Sequence, residues 1–108
     1  MKQFHTITIS GQDYKLRLTA SAILAIEKKL DMPIFDAISL ENIRTNIVET
    51  ITTILWGAIQ PFDPSFTINM AMELFDQYID DGNPVDDLIG EINTLFEVSG
   101  FFNKGQTA

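Results

Sequence analysis

The chain of 108 residues contains no cysteine. That excludes disulfides, thiolate catalysis and cysteine metal sites. Basic residues are few: seven Lys and Arg stand against fifteen Asp and Glu, a formal charge of −8. Neutralising phosphates needs clustered Lys and Arg, so this balance argues against a nucleic-acid binder. It argues equally against docking on anionic lipid. No run of about 18 apolar residues occurs, so no membrane span is expected. The N-terminal Met1–Gly11 alternates and has no apolar stretch of the secretory kind. There is one histidine, His5, and metal sites need several ligands. No phosphate-binding glycine loop and no nucleophile-elbow motif is present. The acidic pairs Asp80-Asp81 and Asp86-Asp87 flank a glycine, but their spacing does not fit a calcium loop. The expectation is a non-enzymatic chain without cofactor or metal.

What remains is a small globular domain. Apolar residues make up 45% of the chain and charged residues 20%, a composition that folds around one core. The whole chain, 1–108, reads as a single domain. The charge is uneven. Residues 1–30 hold five bases against two acids, a net of +3; residues 31–103 hold Arg44 against thirteen acids, a net of −12. Such a split permits head-to-tail association of a basic edge with an acidic surface.

The periodicities give a mainly α fold of the α+β kind. Residues 4–18 predict a β-hairpin: Ile7 and Ile9, then Tyr14, Leu16 and Leu18, alternate with polar residues about a Ser10-Gly11 turn. Four to five helices follow over 19–100. The first runs from a Thr19 or Ser21 cap to Leu30, and a short turn of helix follows Pro33. A long one spans Leu40 to Ile59, capped by Ser39, with Ile43, Ile47, Ile51 and Ile54 on one stripe. Its Ile and Thr content lowers helix propensity, and strand is the competing reading for 47–55. The third runs from Ile68 to Asp81, capped by Thr67 or Ser65 and stopped by Gly82. Asn83-Pro84 caps and starts the fourth, which stops near Gly100. Residues 103–108 predict a frayed polar tail.

Aromatic residues supply the candidate binding positions. Phe101 and Phe102 are adjacent and cannot share one buried face, so one of them is a candidate for partner contact. Trp56 and Phe62, beside the Pro61–Pro64 loop, are the next candidates.

The stretch Tyr14 to Leu30, with Leu18-Thr19 leading into a helix that carries Glu27 and then Leu30, resembles the opening of phage tail assembly chaperones and their gene-transfer-agent relatives. The segment Ile54-Leu55-Trp56-Gly57-Ala58 is similar to the small-apolar, Leu, Trp/Gly, Ala helix end of that family, and a further helical pair follows over 67–100. The resemblance covers about Thr6 to Phe102 and rests on order, spacing and size. It implies a non-enzymatic factor that coats the tape measure protein in the bacterial host cytoplasm and is absent from the mature virion. It also implies tail tube subunits as later partners, self-association, and in many members a longer frameshifted form. Two other classes compete on charge and size. One is a small acidic regulator, such as an antitoxin or nucleic-acid mimic; the other is a structural tail completion protein.

Overall fold

The computed structural model describes residues 4–101. The expected tail at 103–108 lies outside them. An antiparallel hairpin, β1 (His5–Ile9) and β2 (Gln12–Leu16), precedes six helices: α1 (Ala20–Leu30), α2 (Ile34–Ala37), α3 (Leu40–Thr45), α4 (Ile47–Ile59), α5 (Ile68–Asp80) and α6 (Val85–Val98).

The hairpin closes through a two-residue turn in which Ser10 and Gly11 both have positive φ, 51° and 78°. That conformation matches the twist of the flanking strands. Gly11 adopts it freely, while Ser10 is held there by Asp81, whose carboxylate accepts the Ser10 N–H at 2.7 Å. The register pairs Ile7 with Tyr14 and His5 with Leu16, so Ile7, Ile9 and Leu16 turn one apolar face onto the helices.

Thr19, rather than Ser21, caps α1: its hydroxyl accepts the Ala22 N–H at 3.1 Å. Glu27 then reaches forward, and its carboxylate accepts the Ile34 N–H at 2.8 Å. One side chain thereby satisfies the first donor of α2, which Pro33 leaves without a side-chain cap. Ser39 caps α3 through the Asn42 N–H.

The long helix expected over Leu40 to Ile59 is in fact two. Asn46 breaks it, with φ −131° and ψ 47°. Local polar bonding supports the break: Asn46 donates to the Asn42 side chain, and Asn42 donates in turn to the Ala37 carbonyl and to Thr50 Oγ1. This break takes the helix count to six. The segment 47–55 is helical and not strand.

Helix α4 is the hub, touching α1, α3, α5, α6 and β2. Even its Thr50, Thr52 and Thr53 are buried. Thr52 satisfies its hydroxyl within the helix by donating to the Val48 carbonyl at 2.6 Å. Helix α1 crosses α4 at Gly57, where a β-carbon would lie 2.5 Å from Ile26 Cγ1. Only a glycine permits that approach.

Thr67 caps α5, with the buried Phe66 before it, and Gly82 ends it at φ 97°. Asn83 does not cap α6 as its sequence position predicts. Its amide turns back and donates to the Tyr78 carbonyl of α5 at 3.2 Å, and α6 starts from Pro84 with no side-chain cap. Asp86 and Asp87 in the first turn of α6 face the positive end of its dipole instead.

Candidate functional site

The four aromatic candidates do not converge. Phe102 lies outside the described residues. Phe101 is half-buried and completes the end of α6. Its N–H donates to the Phe96 carbonyl, the Gly100 N–H donates to the Glu97 carbonyl, and Gly100 sits at φ 89°. That is the double-bonded left-handed helix stop, with its usual apolar contact supplied by the Phe101 and Phe96 rings at 5.9 Å. The other face of Phe101 meets Phe35 at 6.3 Å.

Trp56 lies within α4 and Phe62 in the turn that follows it. Trp56 is half-buried under the Lys29 ammonium, 5.3 Å from the ring centre. It walls a hollow of about 490 Å³ between α1 and α4, otherwise lined by small residues such as Ala22, Ala25 and Gly57. Phe62 is 43% exposed. It packs edge-on against Phe4 at 6.0 Å, and the Lys15 ammonium lies 5.9 Å from its ring centre. It stands on the rim of a second hollow of about 440 Å³ between β2 and α5.

The residues of the family-like segments have structural duties. Leu18 is buried, Thr19 caps α1 and Glu27 caps α2. Ile54 and Leu55 are core, Gly57 admits Ile26, and the carbonyl of Ala58 accepts the Arg17 N–H at 2.9 Å. Trp56 alone in Ile54–Ala58 is not buried.

One apolar open surface was not among the sequence candidates. The break at Asn46 sets α3 beside the start of α4, and both face α6 across a groove of about 410 Å³. One wall carries Leu40, Ile43, Ile47 and Ile51; the other carries Ile89 and Ile92. Leu40 is 58% exposed, so the groove is open at its lip. Gly90 lies on the α6 wall, and a β-carbon there would meet nothing within 4 Å. The wall is bare at that point, and no neighbour among the described residues requires it to be. Arg44 and Asp86 also line the groove and put one charge of each sign beside the aliphatic strip. Sequence periodicity puts Ile43, Ile47 and Ile51 on one helical stripe and Ile89 and Ile92 on the apolar face of another helix. It does not separate a face that is covered from one left open.

Helices α5 and α6 hold seven acids and no base. Tyr78, on α5, feels them. Burial raises the pKa of its hydroxyl above the ordinary 10.0, and the charges of Glu91 and Asp87 raise it further. At neutral pH it keeps its proton and offers no base. His5 bonds Glu91 at 2.5 Å and ties β1 to α6. Asp81 is engaged by Ser10. Among the described residues, no three His, Cys, Asp or Glu side chains gather as a metal site. Among them also, no helix is long and apolar enough to cross a membrane.

No curated protein and no solved structure gives a match to the chain. A family profile matches it from residue 1 to residue 108, and the chain belongs to that family, DUF6096, a family of unknown function.

Proposed function

We propose that this protein is a tail assembly chaperone of long-tailed phages or prophages, which holds apolar helical stretches of the tape measure protein in solution until tail tube subunits polymerise. It acts without catalysis, in the bacterial host cytoplasm, and is left out of the finished particle. One observation carries the reading: a groove of aliphatic side chains stays open between α3–α4 and α6 on a chain of net charge −8. An apolar strip with charges beside it is what an amphipathic helix occupies. The bare α6 wall at Gly90 admits a helix backbone closely. The order of elements, hairpin, capped α1, Trp56-Gly57-Ala58 helix end and terminal helix pair, supports the same reading by its resemblance to the chaperone family.

Several copies along one long partner gain avidity without new contacts. Self-association fits the charge layout as well. Lys15, Arg17, Lys28 and Lys29 lie on β2, the segment after it and α1, whereas α5 and α6 are wholly acidic. Contacts between two such surfaces weaken with salt, since screening sets in over about 8–10 Å at physiological ionic strength.

The test is co-expression with the tape measure protein of the same gene cluster. The wild-type chain raises its soluble yield. Leu40→Glu, at an exposed position, leaves the chain folded and abolishes the gain. Equal tape measure solubility with and without the wild-type chain removes the proposal, and finding the chain in purified particles removes its chaperone part.

A further inference from the structure

Strand β2 has an open edge. Its turn contains two residues, and Ile9 faces Gln12. In such a hairpin the pair next to the turn exchanges hydrogen bonds, and bonded and non-bonded pairs then alternate. Gln12, Tyr14 and Leu16 therefore direct their N–H and C=O groups at β1. Asp13, Lys15 and Arg17 direct theirs outward. The Arg17 N–H is taken by the Ala58 carbonyl at the end of α4. The outward groups of Asp13 and Lys15 have no backbone partner among the described residues. On the other edge, His5 bridges from β1 to Glu91 of α6.

The open edge does not face bulk water alone. It borders the hollow of about 440 Å³, whose far wall is one face of α5: Met70, Glu73, Leu74 and Gln77. Ile59 and Phe66, both buried, form part of its lining. A strand, a parallel trough and a helix face opposite are the parts of a site for an extended chain.

We infer that the groove between β2 and α5 takes a short extended segment of a partner protein as a third strand, alternating apolar and basic residues. The backbone groups of Asp13 and Lys15 bond the main chain of the segment. The residue set beside Tyr14 lies on the inner face of the sheet, since Tyr14 pairs with the buried Ile7. That residue meets Ile59, Phe66 and Leu74, so it is apolar. Its neighbours meet the rim, which carries Asp13, Asp63 and Glu73 against Lys15. The Lys15 ammonium is drawn over the rings of Phe4 and Phe62, at 5.2 and 5.9 Å. The rim thus favours a cationic segment. Ala58 closes the groove at Arg17, so the segment is about four residues long, at about 3.4 Å per residue. Charged side chains on the empty edge also discourage its pairing with another edge of its own kind. This inference stands apart from the aliphatic groove and does not depend on the tape measure reading.

The experiment uses the full chain, isotope-labelled, and a hexapeptide of alternating valine and lysine. The expected amide shift changes fall on residues 12–15 and 70–77, and exchange of the Asp13 and Lys15 amides with solvent slows at least tenfold. A hexapeptide of alternating valine and glutamate binds at least tenfold more weakly. So does the lysine peptide methylated at every backbone nitrogen. Lys15→Pro removes one outward donor at an edge position that tolerates proline, and lowers affinity at least tenfold. If that variant fails to fold, the methylated peptide decides. No binding at millimolar peptide, equal binding of the methylated peptide, or shifts confined to Leu40, Ile47 and Ile89 would each overturn the inference. So would a dimer of the unliganded chain that Lys15→Pro disperses, because a second copy would then fill the edge.

Discussion

Replacing Gly57 with alanine tests the crossing on which the helical layer depends. In an exposed helix interior, glycine to alanine stabilises by about 1 kcal/mol, because alanine loses less backbone entropy. Here the new β-carbon would sit 2.5 Å from Ile26 Cγ1 and 2.8 Å from Cδ1. Ile26 is fully buried and its Cγ1 is not a free end, so α1 and α4 must move apart or Ile26 must leave its rotamer. Overpacking of this kind costs about 1–3 kcal/mol. Set against the propensity gain, Gly57→Ala destabilises by up to about 2 kcal/mol, or several degrees in Tm at about 4–8 °C per kcal/mol. Ile26→Ala alone costs about 2–5 kcal/mol through its cavity. In that background the added methyl fills space, and Gly57→Ala becomes stabilising. Urea titrations of the four proteins, followed by circular dichroism, give the coupling, expected at about 1–3 kcal/mol. A Gly57→Ala protein more stable than wild type by about 1 kcal/mol, with no coupling to Ile26, would refute the crossing.

Gly90 carries the opposite expectation: with nothing near its missing β-carbon, Gly90→Ala stabilises the fold by about 1 kcal/mol, while Gly90→Leu lowers tape measure solubility in co-expression. Phe101→Ala removes the apolar contact of the helix stop and both ring pairs; it lowers stability by about 1–3 kcal/mol in thermal melts, below the figure for a fully buried Phe. Tyr78 gives a pH signature. Its folded pKa is raised above 10.0, so the folded state holds the proton longer, and stability is full below pH 10 and declines as pH rises past it. Tyr78→Phe flattens that alkaline decline in urea midpoints measured from pH 8 to 11.

Much of the fold is legible because its stop and start signals are local. Thr19, Ser39 and Thr67 cap the helices they precede, and Gly11, Gly82 and Gly100 take the positive φ that their positions require. The break at Asn46 is not legible, because Ile43, Ile47 and Ile51 keep helical spacing across it. What breaks the helix is the bonding of Asn42 to α2 and α4, which joins residues brought together only by folding. Asn83 misleads for a similar reason: as a cap it serves the helix behind it instead of the one ahead. None of the aromatic candidates lines the aliphatic groove: Trp56 and Phe62 stand at other hollows, and Phe101 closes the end of α6. Helical spacing does not show that Leu40, at the start of α3, stays exposed while Ile89 across the groove is half-buried.

The composition of α4 has a consequence for how this protein fails. Ile51-Thr52-Thr53-Ile54-Leu55 is wholly buried and contains no charge, no proline and no glycine. Its β-branched residues are helical only because α1, α3, α5, α6 and β2 surround them. Released by heat, the same five residues are an uncharged segment of high strand preference, the kind that stacks between chains in cross-β order. Unfolding then competes with association of this hub, and heat loss becomes irreversible and dependent on scan rate.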